Sequence, residues 1–386
     1  MIALPLSPAE TATEAAERNR IGGAEWILRT EDDGFALKRI ANSSRRSPLF
    51  GTLEVAGHAG LILFSSGTSG EPKAMLHDFN ALLDRYQSVG KRRDRTLQLL
   101  LVDHIGGLDS ALRTLCSGAC LIIPETRTPE AVGRAIEQHG INILPASPTF
   151  LNLILLADVP ARFDCSTVEI IAYGAEAMPH TLLERLCRAF PNAELQQKFG
   201  TSETGTVRIK SSASDSLFFK IADRETEWKA VNDELWLKTP SRILGYLNAH
   251  NDSLEAEGWY RTGDLVEEQS DGSLRIVGRV STVINVGGQK VHPSEIENVL
   301  LEIPEIATCQ VYSIKDPITG HRIACRIASE TERDIRQWKR LIRNHCRGKL
   351  SPWKIPSSVE ILNNIGMTSR LKQHNSGHDT APTDQL

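Results

Sequence analysis

Short apolar runs alternate with helix-type patterns between residue 97 and about residue 200. Four of these runs predict buried strands, at 97–102, 120–123, 141–144 and 168–172. Between them, Thr128-Pro129 predicts the start of a helix over 130–139, and a second helix is predicted over 180–190. Strands that alternate with helices in this way are typical of a largely parallel α/β sheet.

The pattern changes between residues 234 and 283. Short strand-type stretches are separated there by turn residues, among them Gly245, Gly258, Gly263 and Asp271-Gly272. Turn residues at such short intervals predict a more antiparallel, barrel-like β segment.

A third pattern fills the C-terminal part of the chain. Pro293 predicts the start of one helix, and a second helix is predicted over 332–346 with Ile335, Trp338 and Ile342 directed inward. Strands are predicted at 309–314, 322–327 and 358–362. These elements predict a small α+β domain, and the polar sequence from about residue 374 predicts a disordered tail.

The composition narrows the class of protein. The chain has 386 residues, 40% of them hydrophobic and 24% charged, which is typical of a globular protein. Its net charge of −4 gives no general reason to bind nucleic acid or an anionic membrane. The start, Met1 to Arg20, lacks a signal pattern, and no apolar run approaches the ~18 residues of a transmembrane helix. We therefore expect a cytoplasmic protein that does not span a membrane.

The seven cysteines are scattered and form no Cys-x-x-Cys pair. This arrangement favours reduced thiols buried in cores over a disulfide framework or a zinc site. They are Cys116, Cys120, Cys165, Cys187, Cys309, Cys325 and Cys346.

An apolar strand pattern at 61–64 leads into a loop rich in glycine and hydroxyl groups. The loop residues are Ser65, Ser66, Gly67, Thr68, Ser69 and Gly70, followed by Lys73. Glycine amides, hydroxyl groups and a lysine together suit a polyphosphate. The loop is not a Walker A motif, because only two residues separate Gly67 from Gly70. The alternative is a flexible Ser/Gly linker, although linkers do not usually follow a fully apolar strand.

The sequence SSGTSGEPK resembles the phosphate-binding signature of the adenylate-forming (AMP-binding) superfamily. This superfamily includes acyl- and aryl-CoA synthetases, adenylation domains of nonribosomal peptide synthetases, and luciferases. Further signatures follow in family order: FGTSETG at 199–205, Gly245-Tyr246, GWYRTGD at 258–264, Gly278-Arg279, and INVGGQKV at 284–291. The resemblance covers residues from about 55 to 372, and it implies an enzyme that uses ATP and Mg²⁺.

The resemblance implies roles for three charged residues. Glu203 corresponds to the glutamate that holds the Mg²⁺ accompanying the ATP phosphates. Asp264 corresponds to the aspartate that accepts hydrogen bonds from the ribose hydroxyls, and Arg279 to an arginine that also reaches the ribose. The alternatives are a solvated charge for Glu203 and a surface ion pair for the other two residues.

The resemblance also assigns residues beside the nucleotide and the substrate. Residues at the nucleotide are Tyr173, Gly174, Ala175, Glu176, Phe199, Gly200 and Ser202. The Tyr173 ring suits a stacked purine, and Gly174 a close approach of backbone. His104 corresponds to a position beside the carboxylate of the acid, although a lone histidine is usually a structural residue. This alignment makes an α-amino acid a less favoured substrate.

Two lysines complete the assignment. Lys290, in the loop 287–290, implies a thiol acceptor, with coenzyme A first and the phosphopantetheine of a carrier protein second. Lys372 corresponds to the lysine that reaches the acid carboxylate and the α-phosphate. Gly366 stands where the family usually has proline and Leu371 where it has glycine, so a plain solvated lysine is the alternative.

Two further departures concern the architecture. The phosphate loop begins at residue 65, much earlier than in the family, so we expect a shortened N-terminal subdomain. Either the enzyme is compact, or a partner or self-association covers the missing face. The hinge sequence 280–282 also lacks the usual aspartate, although Ser281 can supply the soft backbone torsions that a hinge needs.

These observations predict an α/β fold in two domains. An AMP-binding domain is predicted over 1–280, with mainly parallel sheets and a barrel-like segment, and a small mobile C-terminal domain over 281–386. The expected function is ATP-dependent activation of a small carboxylic acid as an acyl-adenylate, with transfer to a thiol. The alternatives are loading of a carrier protein, amide formation, and a nucleotide-binding remnant that is catalytically impaired or depends on a partner.

Overall fold

A computed structural model describes residues 1–7, 10–31, 34–40, 47–65, 72–329 and 331–362. The α-helices within these ranges are α1 (Ala12–Gly22), α2 (Leu49–Ala56), α3 (Phe79–Asp84), α4 (Ile105–Cys116), α5 (Pro129–His139), α6 (Pro148–Leu156), α7 (Val159–Arg162), α8 (His180–Ala189), α9 (Pro293–Leu300) and α10 (Ile335–Cys346). The first twelve strands are β1 (Ile2–Ala3), β2 (Trp26–Glu31), β3 (Gly34–Arg39), β4 (Gly60–Ser65), β5 (Lys73–Asp78), β6 (Arg95–Leu97), β7 (Cys120–Ile122), β8 (Ile143–Ala146), β9 (Ile170–Tyr173), β10 (Glu194–Gln197), β11 (Phe199–Thr201) and β12 (Gly205–Val207). The other strands are β13 (Ile209–Ser211), β14 (Phe219–Ile221), β15 (Glu227–Val231), β16 (Glu234–Lys238), β17 (Gly245–Tyr246), β18 (Tyr260–Glu268), β19 (Leu274–Arg279), β20 (Ile284–Val286), β21 (Gln289–Val291), β22 (Thr308–Asp316), β23 (Gly320–Ala328) and β24 (Ser358–Leu362).

The predicted parallel sheet is present, with strand order β10-β9-β8-β6-β7. The chain leaves β6 towards β7 on one side, then crosses back to β8 on the other side. The strand order therefore reverses at β6 and β8. In open α/β sheets, ligands bind outside the carboxyl ends of the strands at such a switch point. Fully buried side chains of α5, α6 and α8, among them Ile136, Phe150 and Leu186, form the core of this sheet.

A second sheet, of order β1-β4-β5-β17, carries the strands on either side of the phosphate loop. β4 and β5 are antiparallel, and Ser65 lies opposite Lys73. β17 pairs with β5, so that Tyr246 lies opposite Met75. The pairing therefore places the Gly245-Tyr246 motif beside the strand that leaves the phosphate loop.

The predicted barrel-like segment is an antiparallel six-stranded half-barrel, of order β13-β14-β19-β18-β16-β15. Its core includes Phe219, Leu235 and Leu274, each fully buried. In this sheet Asp264 of β18 lies opposite Arg279 of β19. The register thus joins two motif residues that lie apart in the sequence.

The C-terminal unit has a hydrophobic core of its own. Its sheet has the order β22-β23-β24, and α9 and α10 contribute to a separate cluster that includes Trp338 and Ile342. Ile335 was expected to point inward, and this expectation is wrong: its side chain is 39% exposed. Ile335 is the first residue of α10, after the N-cap Asp334, whereas the buried Trp338 and Ile342 lie about one and two turns further along the helix. The domain boundary at residue 280 stays a prediction.

Hydrogen bonds between described residues join the C-terminal unit to the rest of the chain, among them the following two. Ser294 Oγ donates to the carbonyl oxygen of Val277 at 2.6 Å. Asn152 Nδ2 of α6 donates to the carbonyl oxygen of Ala307 at 2.9 Å. The first bond lies close to the predicted hinge along the chain, and the second involves a helix of the parallel-sheet region.

Two expectations about local structure need correction. The strand predicted over 97–102 ends at Leu97, because the Gln98 side chain donates to the carbonyl oxygens of Leu100 and Gly107 and closes a loop before α4. Cys116 and Cys120 were expected to be buried, but both are exposed, at the end of α4 and in the edge strand β7. The other cysteines are buried or half-buried, and all seven are free thiols.

Within the described ranges, no helix has both the length and the apolar character needed to cross a membrane.

Candidate active site

Glu203 lies at the meeting point of the second sheet and the half-barrel. Tyr246 Oη donates to Glu203 Oε1 at 2.9 Å, and Ile243 N donates to the Glu203 carbonyl oxygen at 2.8 Å. Burial and the nearby Glu203 carboxylate both raise the pKa of Tyr246 and of Tyr260. Both phenols therefore keep their protons near neutral pH, and Tyr246 can act as a donor to the carboxylate.

Glu203 lies in a short turn that several hydrogen bonds stabilise. β11 and β12 form a hairpin, and Thr201 and Thr204 hydrogen-bond each other across it, with Thr204 N donating to Thr201 Oγ1 at 3.1 Å. Ser241 Oγ donates to the Thr204 carbonyl oxygen at 2.7 Å. At Gly200 a Cβ atom would collide with the Gly205 carbonyl oxygen, so this position requires glycine. The sequence FGTSETG thus folds into a turn with little freedom to move Glu203.

The predicted Asp264 and Arg279 pair forms beside this turn. Arg279 Nε donates to Asp264 Oδ1 at 2.8 Å. Burial raises the pKa of Asp264, while Arg279 opposes that rise and Glu203 adds to it. Asp264 is only 9% exposed, whereas the Arg279 side chain is 56% exposed. The pair is therefore neither fully solvated nor fully buried, and the Glu203 charge makes a smaller contribution than burial to the rise in the pKa of Asp264.

The two ends of the phosphate loop meet at this place. Ser65 and Lys73 pair across β4 and β5, and Lys73 Nζ lies 5.6 Å from the centroid of the Tyr246 ring. Asn248 holds the C-terminal end, since its Oδ1 accepts from Ala74 N at 2.8 Å and its Nδ2 donates to the Pro72 carbonyl oxygen at 2.9 Å. Ser66, Gly67, Thr68, Ser69 and Gly70 lie outside the described residues.

Sequence reasoning did not single out Asn248 or Tyr260 as site residues, and it named Tyr246 only as part of a motif. Asn248 lies two residues after Tyr246, and Tyr260 lies within the GWYRTGD motif. The spacing alone does not reveal their contacts, because these depend on the pairing of β17 with β5.

The residues 173–176 follow β9 at the carboxyl edge of the parallel sheet. A Cβ atom at Gly174 would lie 2.5 Å from the Lys198 carbonyl oxygen, which explains the glycine. Ala175 has φ +70°, an uncommon backbone conformation for a residue with a side chain. Glu176 Oε2 accepts from Thr149 N at 3.2 Å, at the start of α6. Gly174, Ala175 and Glu176 therefore form a tight turn at the edge where a ligand is expected.

Two aromatic rings assigned to the nucleotide are used in core packing. Tyr173 is 1% exposed and belongs to the parallel-sheet core. Phe199 is 8% exposed and packs on Phe219, with ring centroids 5.7 Å apart. Both rings are largely buried in this structure, and the contacts of Tyr173 with a purine and of Phe199 with the nucleotide stay predictions. Ser202, next to Glu203, is half-buried, and its contact with a nucleotide stays a prediction.

His104 is the N-cap of α4, at the switch point of the parallel sheet. Its Nδ1 accepts from Gly106 N at 3.3 Å. Gly107 is required there, because a Cβ atom would collide with the Leu101 carbonyl oxygen. A structural role for His104 is therefore present, and a role beside the acid carboxylate stays a prediction.

Lys290 and Lys372, the two lysines predicted in the C-terminal part of the chain, follow the residues around Glu203 in the sequence. Lys290 is exposed in β21, where it pairs with Asn285. Its loop is held by Gly287 N, which donates to the Thr319 carbonyl oxygen at 2.9 Å. Lys372 lies outside the described residues.

The cluster fits Mg²⁺ that arrives with a nucleotide. Across the described part of the chain, no group of three or more His, Cys, Asp or Glu side chains could hold a metal by itself. Mg²⁺ is usually bound by one or two carboxylates together with phosphates and water. One carboxylate, Glu203, next to the ends of a phosphate loop meets that requirement.

Comparison with known proteins agrees with this geometry. Residues 10–242 match the family described as AMP-binding enzyme, and residues 295–372 match the AMP-binding enzyme C-terminal domain. Acyl-CoA synthetase 7 of Caenorhabditis elegans is 26% identical over 339 residues, which cover 80% of this chain and 63% of that protein. Fatty acid–[acyl-carrier-protein] ligase MmaC of Mycobacterium marinum is 26% identical over 355 residues, covering 81% of this chain and 66% of that protein.

The fold is also that of a solved structure. The amide bond synthetase McbA from Marinactinospora thermotolerans superposes with a TM-score of 0.68 at 22% identity, covering 81% of this chain and 67% of that one. This chain spans less than two thirds of the length of the two sequence relatives. The two family matches together include the phosphate loop, the Glu203 turn and the C-terminal unit. The chain belongs to the family of AMP-binding enzymes.

Proposed function

We propose that this protein uses ATP to activate a carboxylic acid as an acyl-adenylate, with release of pyrophosphate. The observation that carries the proposal is the joint placement of Lys73, Tyr246 and Glu203, with the Asp264–Arg279 pair beside them. A site for a nucleoside triphosphate requires three kinds of group. These are a lysine that binds phosphate, a carboxylate suited to Mg²⁺, and a buried carboxylate suited to ribose.

Different residues bind the ribose, the phosphates and the acid in the first step, which forms the acyl-adenylate. Asp264 accepts hydrogen bonds from the ribose, and Arg279 opposes the rise in the pKa of this carboxylate that burial causes. Lys73 and the residues 65–70 bind the phosphates. The substrate carboxylate then attacks the α-phosphorus, the bond from the α-phosphorus to the bridging oxygen breaks, and pyrophosphate leaves. Lys372 and His104 are proposed to orient the attacking carboxylate.

Glu203 is proposed to hold Mg²⁺, with Tyr246 fixing the orientation of its carboxylate. The ion, when bound, neutralises charge on the phosphates and on the departing pyrophosphate. Gly174, Ala175 and Glu176 are proposed to border the nucleotide through their backbone at the carboxyl edge of the parallel sheet, together with Gly200 and Ser202.

The second step is proposed to transfer the acyl group to a thiol. Coenzyme A is the first candidate, since the relative from C. elegans is an acyl-CoA synthetase. A carrier-protein phosphopantetheine is the second, since the relative from M. marinum is a fatty acid–[acyl-carrier-protein] ligase. Formation of an amide remains a third alternative. Lys290 is proposed to serve this step after the C-terminal domain, residues 281–386, turns about the hinge near Ser281. A cytoplasmic location stays a prediction.

The test is acid-dependent exchange of labelled pyrophosphate into ATP, measured over a panel of aromatic, fatty and amino acids. Exchange with one acid class is the expected result, and it identifies the substrate class before the acceptor is known. Glu203→Gln should lower the exchange rate at least 100-fold, because a neutral amide binds Mg²⁺ far more weakly than a carboxylate does.

Glu227→Gln is the matched control, because the Glu227 side chain is exposed and forms a surface ion pair with Lys238. This variant should retain the wild-type exchange rate. Nucleotide binding without exchange for any acid would contradict the proposed adenylation. It would favour instead a nucleotide-binding protein that is impaired or depends on a partner.

A further inference from the structure

The strands β2 and β3 form a hairpin with an exposed apolar face. The cross-strand pairs are Trp26 with Arg39, Leu28 with Leu37, and Thr30 with Phe35. Because side chains alternate between the two faces of a strand, these six residues lie on the same face. The exposed fractions are 52% for Trp26, 66% for Leu28, 76% for Phe35 and 63% for Leu37.

This hairpin is isolated within the described part of the chain. Its sheet contains only β2 and β3, so that neither outer edge pairs with another described strand. None of its apolar side chains belongs to a hydrophobic cluster of described residues. A two-stranded hairpin is only marginally stable in water unless one face is covered. The apolar face thus lacks a packing partner among the residues that the structure describes.

We propose that this face packs against the same face of a second copy of the chain. A two-fold axis would bring Leu28 and Leu37 of one copy onto those of the other, because the centre of the face is apolar throughout and is therefore self-complementary. The guanidinium of Arg39 lies 5.9 Å from the Trp26 ring and would form part of a polar rim.

The exposed area is sufficient for such a dimer. The four apolar side chains present roughly 500 Å² together, which is the upper range for a surface patch on a monomer. Two copies would bury about 1,000 Å² in total, the lower limit for a specific interface. We therefore expect a weak dimer, with a dissociation constant in the micromolar range.

Charge gives no reason to favour an anionic lipid surface as the occupant. The sequence 26–39 has three basic residues, Arg29, Lys38 and Arg39, and three acidic residues, so its net charge is zero. A segment without net charge gains no electrostatic attraction to an anionic membrane. A second copy needs no such attraction, because the proposed contact is between apolar side chains.

The experiment is sedimentation velocity of the full chain over a wide range of concentration. The wild-type protein should pass from monomer to dimer as concentration rises. Leu28→Glu should raise the dissociation constant at least 100-fold, because each dimer would contain two buried carboxylates. Phe35→Ser provides a second, uncharged variant and should weaken the dimer at least 10-fold.

Lys38→Gln is the matched control. It changes the net charge by the same amount as Leu28→Glu, but Lys38 pairs with Ile27 on the opposite face of the hairpin. This variant should dimerise as the wild type does, and circular dichroism should show that all variants fold alike. A wild-type chain that stays monomeric at its highest attainable concentration would overturn the proposal. Equal weakening by Lys38→Gln would overturn it as well. None of these readouts depends on the proposed enzymatic activity.

Discussion

Tyr246 connects three parts of the candidate site through its hydroxyl group, its ring and its backbone. Its hydroxyl group binds the Glu203 carboxylate, its ring lies beside the Lys73 ammonium, and its backbone pairs with β5. The motif Gly245-Tyr246 could be recognised in the sequence, but the hydrogen bond to Glu203 could not. That bond depends on the closing of two hairpins against each other, and neither hairpin is visible from residue spacing.

Tyr246→Phe removes this hydrogen bond and keeps the ring. A hydrogen bond to a charged group contributes about 1.5–3 kcal/mol, so kcat/KM for MgATP in pyrophosphate exchange should fall about 10- to 100-fold. Tyr312→Phe is the control, because it removes a hydroxyl group that donates to Glu360 in the C-terminal unit. An unchanged kcat/KM in Tyr246→Phe would show that Glu203 needs no support from this phenol.

The ribose assignment of Asp264 can be tested with a change in the ligand. Asp264→Asn should weaken binding of AMP about 10-fold or more, because a charged acceptor becomes neutral. The wild type should also bind 2′-deoxy-AMP more weakly than AMP, and the variant should bind the two almost equally. Isothermal titration calorimetry measures all four affinities. Equal discrimination by both proteins would place the ribose elsewhere.

At the scale of elements, regular periodic segments could be predicted well, and loops could not. The predicted helix over 130–139 and the strand over 358–362 agree with α5 and β24 within one residue. The stretch 97–102 is apolar enough for a strand, yet only Leu97 lies in one, because the buried Gln98 side chain stabilises a loop after it. Apolar character alone cannot distinguish a buried strand from a buried loop that a side chain stabilises.

The hairpin of β2 and β3 was not predicted, although its signal was present in the sequence. Alternating apolar residues flank Asp33-Gly34, a dipeptide that is typical of hairpin turns. The alternating apolar residues of this hairpin form an exposed face, whereas those of the predicted elements form faces that become buried. An apolar face that binds another molecule and an apolar face that packs in the core show the same alternation of residues in a sequence.

Helix α9 carries a buried carboxylate that should make stability depend on pH. Burial raises the pKa of Glu297 to about 7, and the hydrogen bond from Val311 N opposes this rise in part. The folded state therefore holds the proton more tightly than the unfolded state does. The free energy of unfolding should fall as the pH rises from about 4.5 to about 7, and then remain level with respect to this group.

Glu297→Gln should remove this dependence. The amide oxygen can still accept the hydrogen bond from Val311, and no charge has to be buried. The variant should match the wild type near pH 4.5 and exceed it above pH 7, by up to about 3 kcal/mol. Urea unfolding at several pH values measures the difference. A constant difference across this range would assign the effect to packing rather than to ionisation.

At the scale of the whole molecule, the candidate site combines segments that lie far apart in the chain. Lys73 follows the phosphate loop, Glu203 lies in a hairpin after the parallel sheet, and Asp264 and Arg279 lie in the half-barrel. The resemblance of separate motifs to one family predicted that these residues act together. It did not predict that the rings of Tyr173 and Phe199 would belong to cores, because a motif records residue type and order but not the direction of a side chain.

The hydrogen bond between Asn152 and Ala307 has a consequence for the balance between domain orientations. It joins a helix of the parallel-sheet region to the C-terminal unit, whereas the Ser294 contact lies close to the hinge. A rotation about residues 280–282 would break the first bond and could preserve the second. A neutral hydrogen bond contributes about 1 kcal/mol, which changes an equilibrium between two orientations by a factor of about five. A bound ligand that prefers another orientation by a few kcal/mol would outweigh this hydrogen bond.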